Sequence, residues 1–168
     1  MTPLVSIIMG STSDLPVMEK ACKWLDDNEI PFEVNALSAH RTPDAVEAFA
    51  KGAQERGIKV IIAAAGMAAA LPGVIAASTN LPVIGVPIKG MLDGLDAMLS
   101  IIQMPPGIPT ATVGVNAAQN AAILAAQIIG LSDSAVAAKV AAHKAGLGAK
   151  IEKANKDLAE VKYNFKTN

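Results

Sequence analysis

The sequence predicts an α/β fold of three layers, with a parallel sheet between helices. Three observations carry this. Short apolar runs rich in Val, Ile and Ala alternate along the chain with longer stretches of helical spacing. The runs are continuous rather than alternately polar, as befits strands buried on both faces. Gly, Pro, Ser, Thr and Asp punctuate the junctions.

Leu4 to Met9, "LVSIIM", is the first strand and ends at Gly10. "STSD" supplies candidate caps. Leu15 to Asn28 is spaced as a helix around Val17, Met18, Ala21, Trp24 and Leu25. Phe32 to Leu37, after Pro31, reads as the second strand. Thr42 is the expected cap of a second helix, with Pro43 at its first position and Gly57 as its stop. Lys59 to Ala64 is a third strand. Met67 to Ser78 reads as a small-residue helix interrupted at Pro72-Gly73, and Leu81 to Pro87 as a fourth strand. Gly94 to Ile102 is helical, and "QMPPGIP" makes a rigid turn before a fifth strand at Thr110 to Val113. Asn116 to Ile129 is an Ala- and Ile-rich helix. A last helix starts at Ser132 and reaches about Val161, with a bend or break expected at Gly146 or Gly148.

Alternating β and α units with right-handed crossovers give a doubly wound sheet. Five strands suit the flavodoxin-like order 2-1-3-4-5. No linker or repeat divides the chain, so residues 1–168 read as one domain.

Composition narrows the function. Hydrophobic residues make up 52% and charged residues 17% of the 168. That is more apolar material than a small monomer's surface carries well, so part of it should be buried between subunits. A net charge of -1 and 3% aromatics give no case for nucleic acid or an anionic membrane. The lone Cys22 excludes an internal disulfide and a cysteine-clustered zinc site, and reads as a small core residue. No apolar run reaches the ~20 residues of a membrane span, and no basic leader precedes the first strand. The expectation is a cytoplasmic protein.

In doubly wound sheets, ligands bind beyond the carboxyl ends of the strands, at the switch point. Three loops should therefore converge. Gly10-Ser11-Thr12-Ser13-Asp14 offers close backbone approach, hydroxyls and amides for an anion. Asp14 suits ribose hydroxyls, although Ser13 or Asp14 as a simple helix cap explains them too. Ser38-Ala39-His40-Arg41-Thr42-Pro43 brings a proton-transfer group beside a guanidinium that can clamp phosphate. A lone histidine near a strand end is more often structural, but the crevice position favours a catalytic or ligand role for His40. His143, among Lys and Ala, reads as a solvated face. The third loop, Ala64 to Gly73, is nearly all small residues. It suits either a flat ring against main chain or close helix–strand packing. The chain has no G-x-x-x-x-G-K-[ST], no G-x-S-x-G and no cluster of metal ligands.

"MGSTSD", "SAHRTPD", "AGMAAALPGVIAA", "LPVIGVP", "GLDAMLSIIQMPPGIP" and "NAAILAAQ" together resemble the class I PurE family, the N5-carboxyaminoimidazole ribonucleotide mutases of purine biosynthesis. The resemblance spans about Leu4 to Gly130. It implies that a carboxylate moves from the exocyclic nitrogen of an aminoimidazole ribonucleotide to ring carbon 4, by decarboxylation and recarboxylation, without metal or organic cofactor. It puts Ser11 and Asp14 on substrate-binding positions, Arg41 on the phosphate position and His40 on the proton-transferring one. Ser13, Ser38 and the backbone around Gly66 would line the site. It also implies a homo-octamer, with the region from about 132 to 168 packing on neighbours; Tyr163 and Phe165 in the tail fit that docking.

The chain departs from the family pattern in three places. Ala70 stands where many relatives carry His, in a stretch that often reads G-G-A-A-H-L-P-G. The segments Lys89 to Gly94 and Val113 to Ala118 are shorter than in many relatives. Arg41 favours the mutase over the class II carboxylase, where Lys is usual. That carboxylase, which takes free CO2, remains the nearest alternative. A non-catalytic nucleotide- or flavin-binding module and a paralogue acting on another carboxylated heterocycle are the others.

Overall fold

In the computed structural model, which describes residues 1–168, five strands form one sheet in the order β2-β1-β3-β4-β5. β1 is Val5–Met9, β2 Phe32–Ala36, β3 Val60–Gly66, β4 Val83–Ile88 and β5 Ala111–Thr112. All four pairings are parallel, with Ile7 level with Val34 and Ile62, and Ile62 level with Ile84. The helices are α1 Leu15–Asp27, α2 Pro43–Lys51, α3 Leu71–Ser78, α4 Leu95–Ile102, α5 Ala118–Gly130 and α6 Ser134–Ala159. This is the flavodoxin-like arrangement the sequence predicts.

Strand periodicity sorts the core into two. Val5, Ile7 and Met9 of β1 and Val60, Ile62 and Ala64 of β3 face α1, α5 and the start of α6. Ile8, Ile61, Ala63 and Ala65 face the other way, onto α2, α3 and α4. Ile7, Ile8, Ile61 and Ile62 are fully buried. Truncating any of them to Ala removes roughly 2–5 kcal/mol of stability. The β4–α4 contact depends on Gly85, where a Cβ would overlap the Ile101 side chain.

The one buried polar side chain, Ser6, donates to Glu33 Oε1 at 2.8 Å, and Glu33 in turn meets Arg56 Nη2 at 3.1 Å. The network satisfies a hydroxyl that would otherwise cost stability in the core, and it ties edge strand β2 to the chain after α2.

Several expectations are corrected. The helix expected from Met67 starts only at Leu71, because Pro72 is suited to the first turn and Met67 takes a left-handed backbone, φ 55°. α2 ends at Lys51, and turns carry the chain to Gly57. Thr42 makes no capping bond; its hydroxyl oxygen accepts from the Ser38 N–H at 3.0 Å instead. α6 is uninterrupted through Gly146 and Gly148. Two glycines at about 1 kcal/mol each do not break a helix flanked by Ala, Lys and Leu.

His143 is not on a solvated face. It is half-buried, accepts a hydrogen bond from Trp24 Nε1 at 3.2 Å through Nδ1, and meets the indole edge-on at 5.3 Å between ring centroids. Cys22 is half-buried against the α1–α5 core. No helix is long and apolar enough to cross a membrane.

Candidate active site

The carboxyl ends of β1, β3 and β4 open into a cavity of about 460 Å³, a size common for small-molecule sites. Gly10, Ser11 and Asp14 come from the loop after β1. Ser38, Ala39, His40 and Arg41 come from the loop after β2. Residues 65–71 form the third wall. The three loops singled out in the sequence therefore do converge.

The first loop is a short 3-10 turn, Thr12–Asp14. The Ser11 hydroxyl oxygen accepts from the Ser13 N–H at 3.3 Å, so Ser11 is the cap. Asp14 makes no side-chain capping bond to α1. Its carboxylate is thus left to the cavity, which removes the cap-only reading. Burial pushes the Asp14 carboxyl above its ordinary value, and the Ser13 hydroxyl, donating at 3.5 Å, only partly offsets this. Ser13 itself is exposed beside the cavity and does not line it.

The second loop is a turn closed on itself. Ser38 N–H donates to Thr42 Oγ1 at 3.0 Å, Thr42 Oγ1 donates to the Ser38 carbonyl at 3.1 Å, and Thr42 N–H donates to that same carbonyl at 2.8 Å. The Ser38 hydroxyl oxygen accepts from the Arg41 N–H at 3.2 Å. These bonds fix the base and leave His40 and Arg41 at the tip, both exposed. Arg41 Nη2 also donates to the Gly10 carbonyl at 3.0 Å, which ties the second loop to the first. A guanidinium has five N–H donors, so this bond leaves the fork able to take an oxyanion.

The third loop is small-walled, as expected. Ala65, Ala69 and Leu71 are buried; Gly66 and Met67 are not. A Cβ on Gly66 would sit 3.5 Å from the Ile88 carbonyl, an ordinary contact, so Gly66 is not demanded by packing. Ala70 lies on the cavity wall just before α3.

Sequence reasoning stopped at three loops and missed a fourth. Ile88, Lys89 and Gly90, after β4, also line the cavity. The same carboxyl-end rule, applied to β4, points to them. The Lys89 N–H donates to Asn116 Oδ1 at 2.9 Å, and the Lys89 ammonium meets Asp93 at 3.0 Å. The Lys89 charge is thus matched by Asp93, and Arg41, bonded only to a backbone carbonyl, is the cation left for an anionic ligand, with Asp14 to accept from its hydroxyls.

The family model described as AIR carboxylase matches residues 4–150. The chain is 61% identical over 130 residues to the N5-carboxyaminoimidazole ribonucleotide mutase of Pyrococcus abyssi, covering 77% of this chain and 75% of that one. It is 51% identical over 162 residues to the mutase of Thermotoga maritima, covering 96% and 95%. It is 58% identical over 139 residues to the phosphoribosylaminoimidazole carboxylase of Saccharomyces cerevisiae, covering 82% of this chain and 24% of that larger protein. The crystal structure of Treponema denticola PurE superposes with a TM-score of 0.83 at 32% identity, over 93% of this chain and 98% of that one. With the model matching most of its length and relatives this similar along nearly all of it, the chain belongs to the AIR carboxylase family.

Proposed function

We propose that this protein is an N5-carboxyaminoimidazole ribonucleotide mutase of purine biosynthesis, working in the cytoplasm. The observation that carries the reading is the Ser38–Thr42 turn, which holds an imidazole and a guanidinium together at the mouth of a small-walled cavity. The names of the relatives at 51–61% identity support the same reaction.

In this reading Arg41 grips the phosphate with the donors left free by Gly10. Ser11 holds phosphate and ribose oxygens, Asp14 accepts from the ribose hydroxyls, and Ser38 and Gly66 line the ring's place. His40 delivers a proton to the exocyclic nitrogen as the N–C bond breaks and CO2 is released into the cavity. Carbon 4 of the aminoimidazole then bonds to that CO2, and His40 takes the proton that carbon 4 loses. The imidazole returns to its starting state, so one group serves both steps. The binding loops keep the ring and CO2 in attack range between them.

The assembly is proposed to be a homo-octamer in which residues from about 132 to 168 pack on neighbours. The support is apolar surface: Leu147, Ile151, Leu158, Tyr163 and Phe165 are all exposed in the single chain.

A second reading has one specific support, the carboxylase name of the yeast relative. There the enzyme would add free CO2 to aminoimidazole ribonucleotide. Turnover of the N-carboxylated nucleotide is compared with that of aminoimidazole ribonucleotide plus bicarbonate. The mutase converts the first efficiently and the second poorly; the reverse preference overturns the proposal.

A further inference from the structure

β5 ends at Thr112, which is level with Gly85 of β4. β4 runs on past that pairing to Ile88, and Ile88, Lys89 and Gly90 line the cavity. The outer side of this stretch is nevertheless bonded at every second residue. Val113 N–H donates to the Gly85 carbonyl at 3.2 Å, and Asn116 N–H donates to the Pro87 carbonyl at 2.9 Å. Two residues on, the Lys89 N–H donates to Asn116 Oδ1 at 2.9 Å. The spacing is that of a parallel ladder, with a side-chain amide in the place of the next main-chain carbonyl. Asn116 reaches both points from a left-handed backbone, φ 57°, which Asn tolerates better than most residues. The same two segments meet again at Gly94, where a Cβ would lie 2.7 Å from Val115 Cγ1 and 3.3 Å from the Lys89 Cα.

We propose that Asn116 is a positioning residue for the carboxyl shift, its side-chain oxygen fixing the Ile88–Gly90 wall against which the ring lies; this rests on the mutase reading above. In the sheet order β2-β1-β3-β4, the loops after β2 and β4 stand on opposite sides of the cavity. His40 is on one, and Ile88 to Gly90 are on the other. A ring between them has its distance to the imidazole set by both. The Ser38–Thr42 turn closes on itself, but the far wall depends on a neighbour. β3 ends at Gly66, level with Ile88, so the ladder on that side stops there. The Lys89 ammonium meets Asp93 within the same loop, which does not tie the loop to the sheet. Asn116 supplies that tie from the segment before α5. It does not itself line the cavity, and it acts through Lys89. Proton transfer needs donor and acceptor within hydrogen-bond reach, and a misplacement of about 1 Å costs a large part of the rate.

The test compares two variants of the full chain. Asn116→Gly keeps the left-handed backbone and its N–H and removes the acceptor. Asn116→Asp keeps an acceptor oxygen at the same reach. Asn116→Gly should melt within about 4 °C of wild type, the shift that loss of one hydrogen bond gives in a chain of this length, and its light-scattering mass should be unchanged. Amide exchange in peptides covering residues 88–90 should be about tenfold faster. Turnover at saturation should fall roughly tenfold. KM should stay within about twofold of wild type, because Arg41 and Asp14 sit on other loops. Asn116→Asp should exchange and turn over within about threefold of wild type. Equal saturated turnover in Asn116→Gly and wild type overturns the proposal, as does a rise in KM alone, or an equal loss in Asn116→Asp. A drop in light-scattering mass in Asn116→Gly also overturns it, since Asn116 would then act through assembly. Rates are read with the N-carboxylated nucleotide. A wild type that converts only aminoimidazole ribonucleotide with bicarbonate refutes the mutase reading instead. The same comparison then runs on that substrate, since either reaction needs the ring placed against His40. A wild type that converts neither overturns both.

Discussion

The turn from Ser38 to Thr42 and the arm from Lys144 to Asn168 both stand in solvent, and they are built in opposite ways. The turn satisfies itself: its backbone and hydroxyls bond to one another, and a single Arg41 bond anchors it to Gly10. It needs no apolar cover, so it can expose His40 and Arg41 with its geometry fixed. The arm is the reverse. α6 docks through Val136, Lys139 and His143, and beyond His143 every residue to the helix end is exposed. Yet Leu147, Ile151 and Leu158 recur at helical spacing on one side of it. An isolated helix gains little in water, where tertiary packing supplies most helical stability. The difference teaches that exposure has two meanings here. Local hydrogen bonding makes the turn a finished site, whereas the arm's apolar side points to a missing surface.

Breaking the turn's chemistry should have the largest effect. His40→Asn leaves the bonds at the turn's base in place, so the nucleotide should still bind. Turnover should fall roughly 10²–10⁴-fold, the usual loss for an acid–base group. Arg41→Lys should do the converse: the planar fork is lost, binding weakens about tenfold, and saturated turnover changes far less. Steady-state kinetics beside a binding titration separates the two. A His40→Asn protein turning over within a few-fold of wild type would make the turn structural.

Removing the arm should act on assembly. A chain ending at His143 keeps the Trp24 contact and both cores. Its light-scattering mass should drop at least about twofold below that of the full chain, and its melting temperature should lose the concentration dependence that assembly confers. A full-length protein that is already monomeric at micromolar concentration would refute the account of the arm.

The two regions also differ in how legible they were. The strands were plain, because short Val- and Ile-rich runs between Gly and Pro admit few other readings. The crevice followed from topology, since chain order alone sends the loops after β1, β2 and β3 to one end of the sheet. What failed was set by partners distant in sequence. His143 looked solvated because Trp24 lies 119 residues away. Met67 looked helical because Met and Ala favour helices, whereas the loop demanded a left-handed residue there. Thr42 looked like a cap, but the Ser38 backbone captured its hydroxyl. Lys89 carried no local signal and became visible only when β4 was seen to end at the cavity.

The smallest expected effect lies at Asp14, and it sharpens the contrast between a site and a packing surface. Burial raises the Asp14 carboxyl above its ordinary value near 3.8 in the folded chain. The fold therefore prefers the protonated form. The stability tied to that preference is fully present below the ordinary value and is lost as pH rises through the higher folded value. A carboxylate here carries its charge in a place that disfavours it, which a binding role explains. Asp14→Asn removes the charge and keeps the shape. It should melt about 1–2 °C higher than wild type at pH 7, a small shift because the group is half-exposed. The gap should close on acidification below the ordinary carboxylate value. Nucleotide affinity should fall at the same time, since an amide accepts ribose hydroxyls less strongly than a carboxylate. Melting curves from pH 3 to pH 7, with a binding titration at pH 7, check both halves. A lower melting temperature for Asp14→Asn at pH 7 would mean that the ionised carboxylate stabilises the first loop, and Asp14 would then be part of the scaffold.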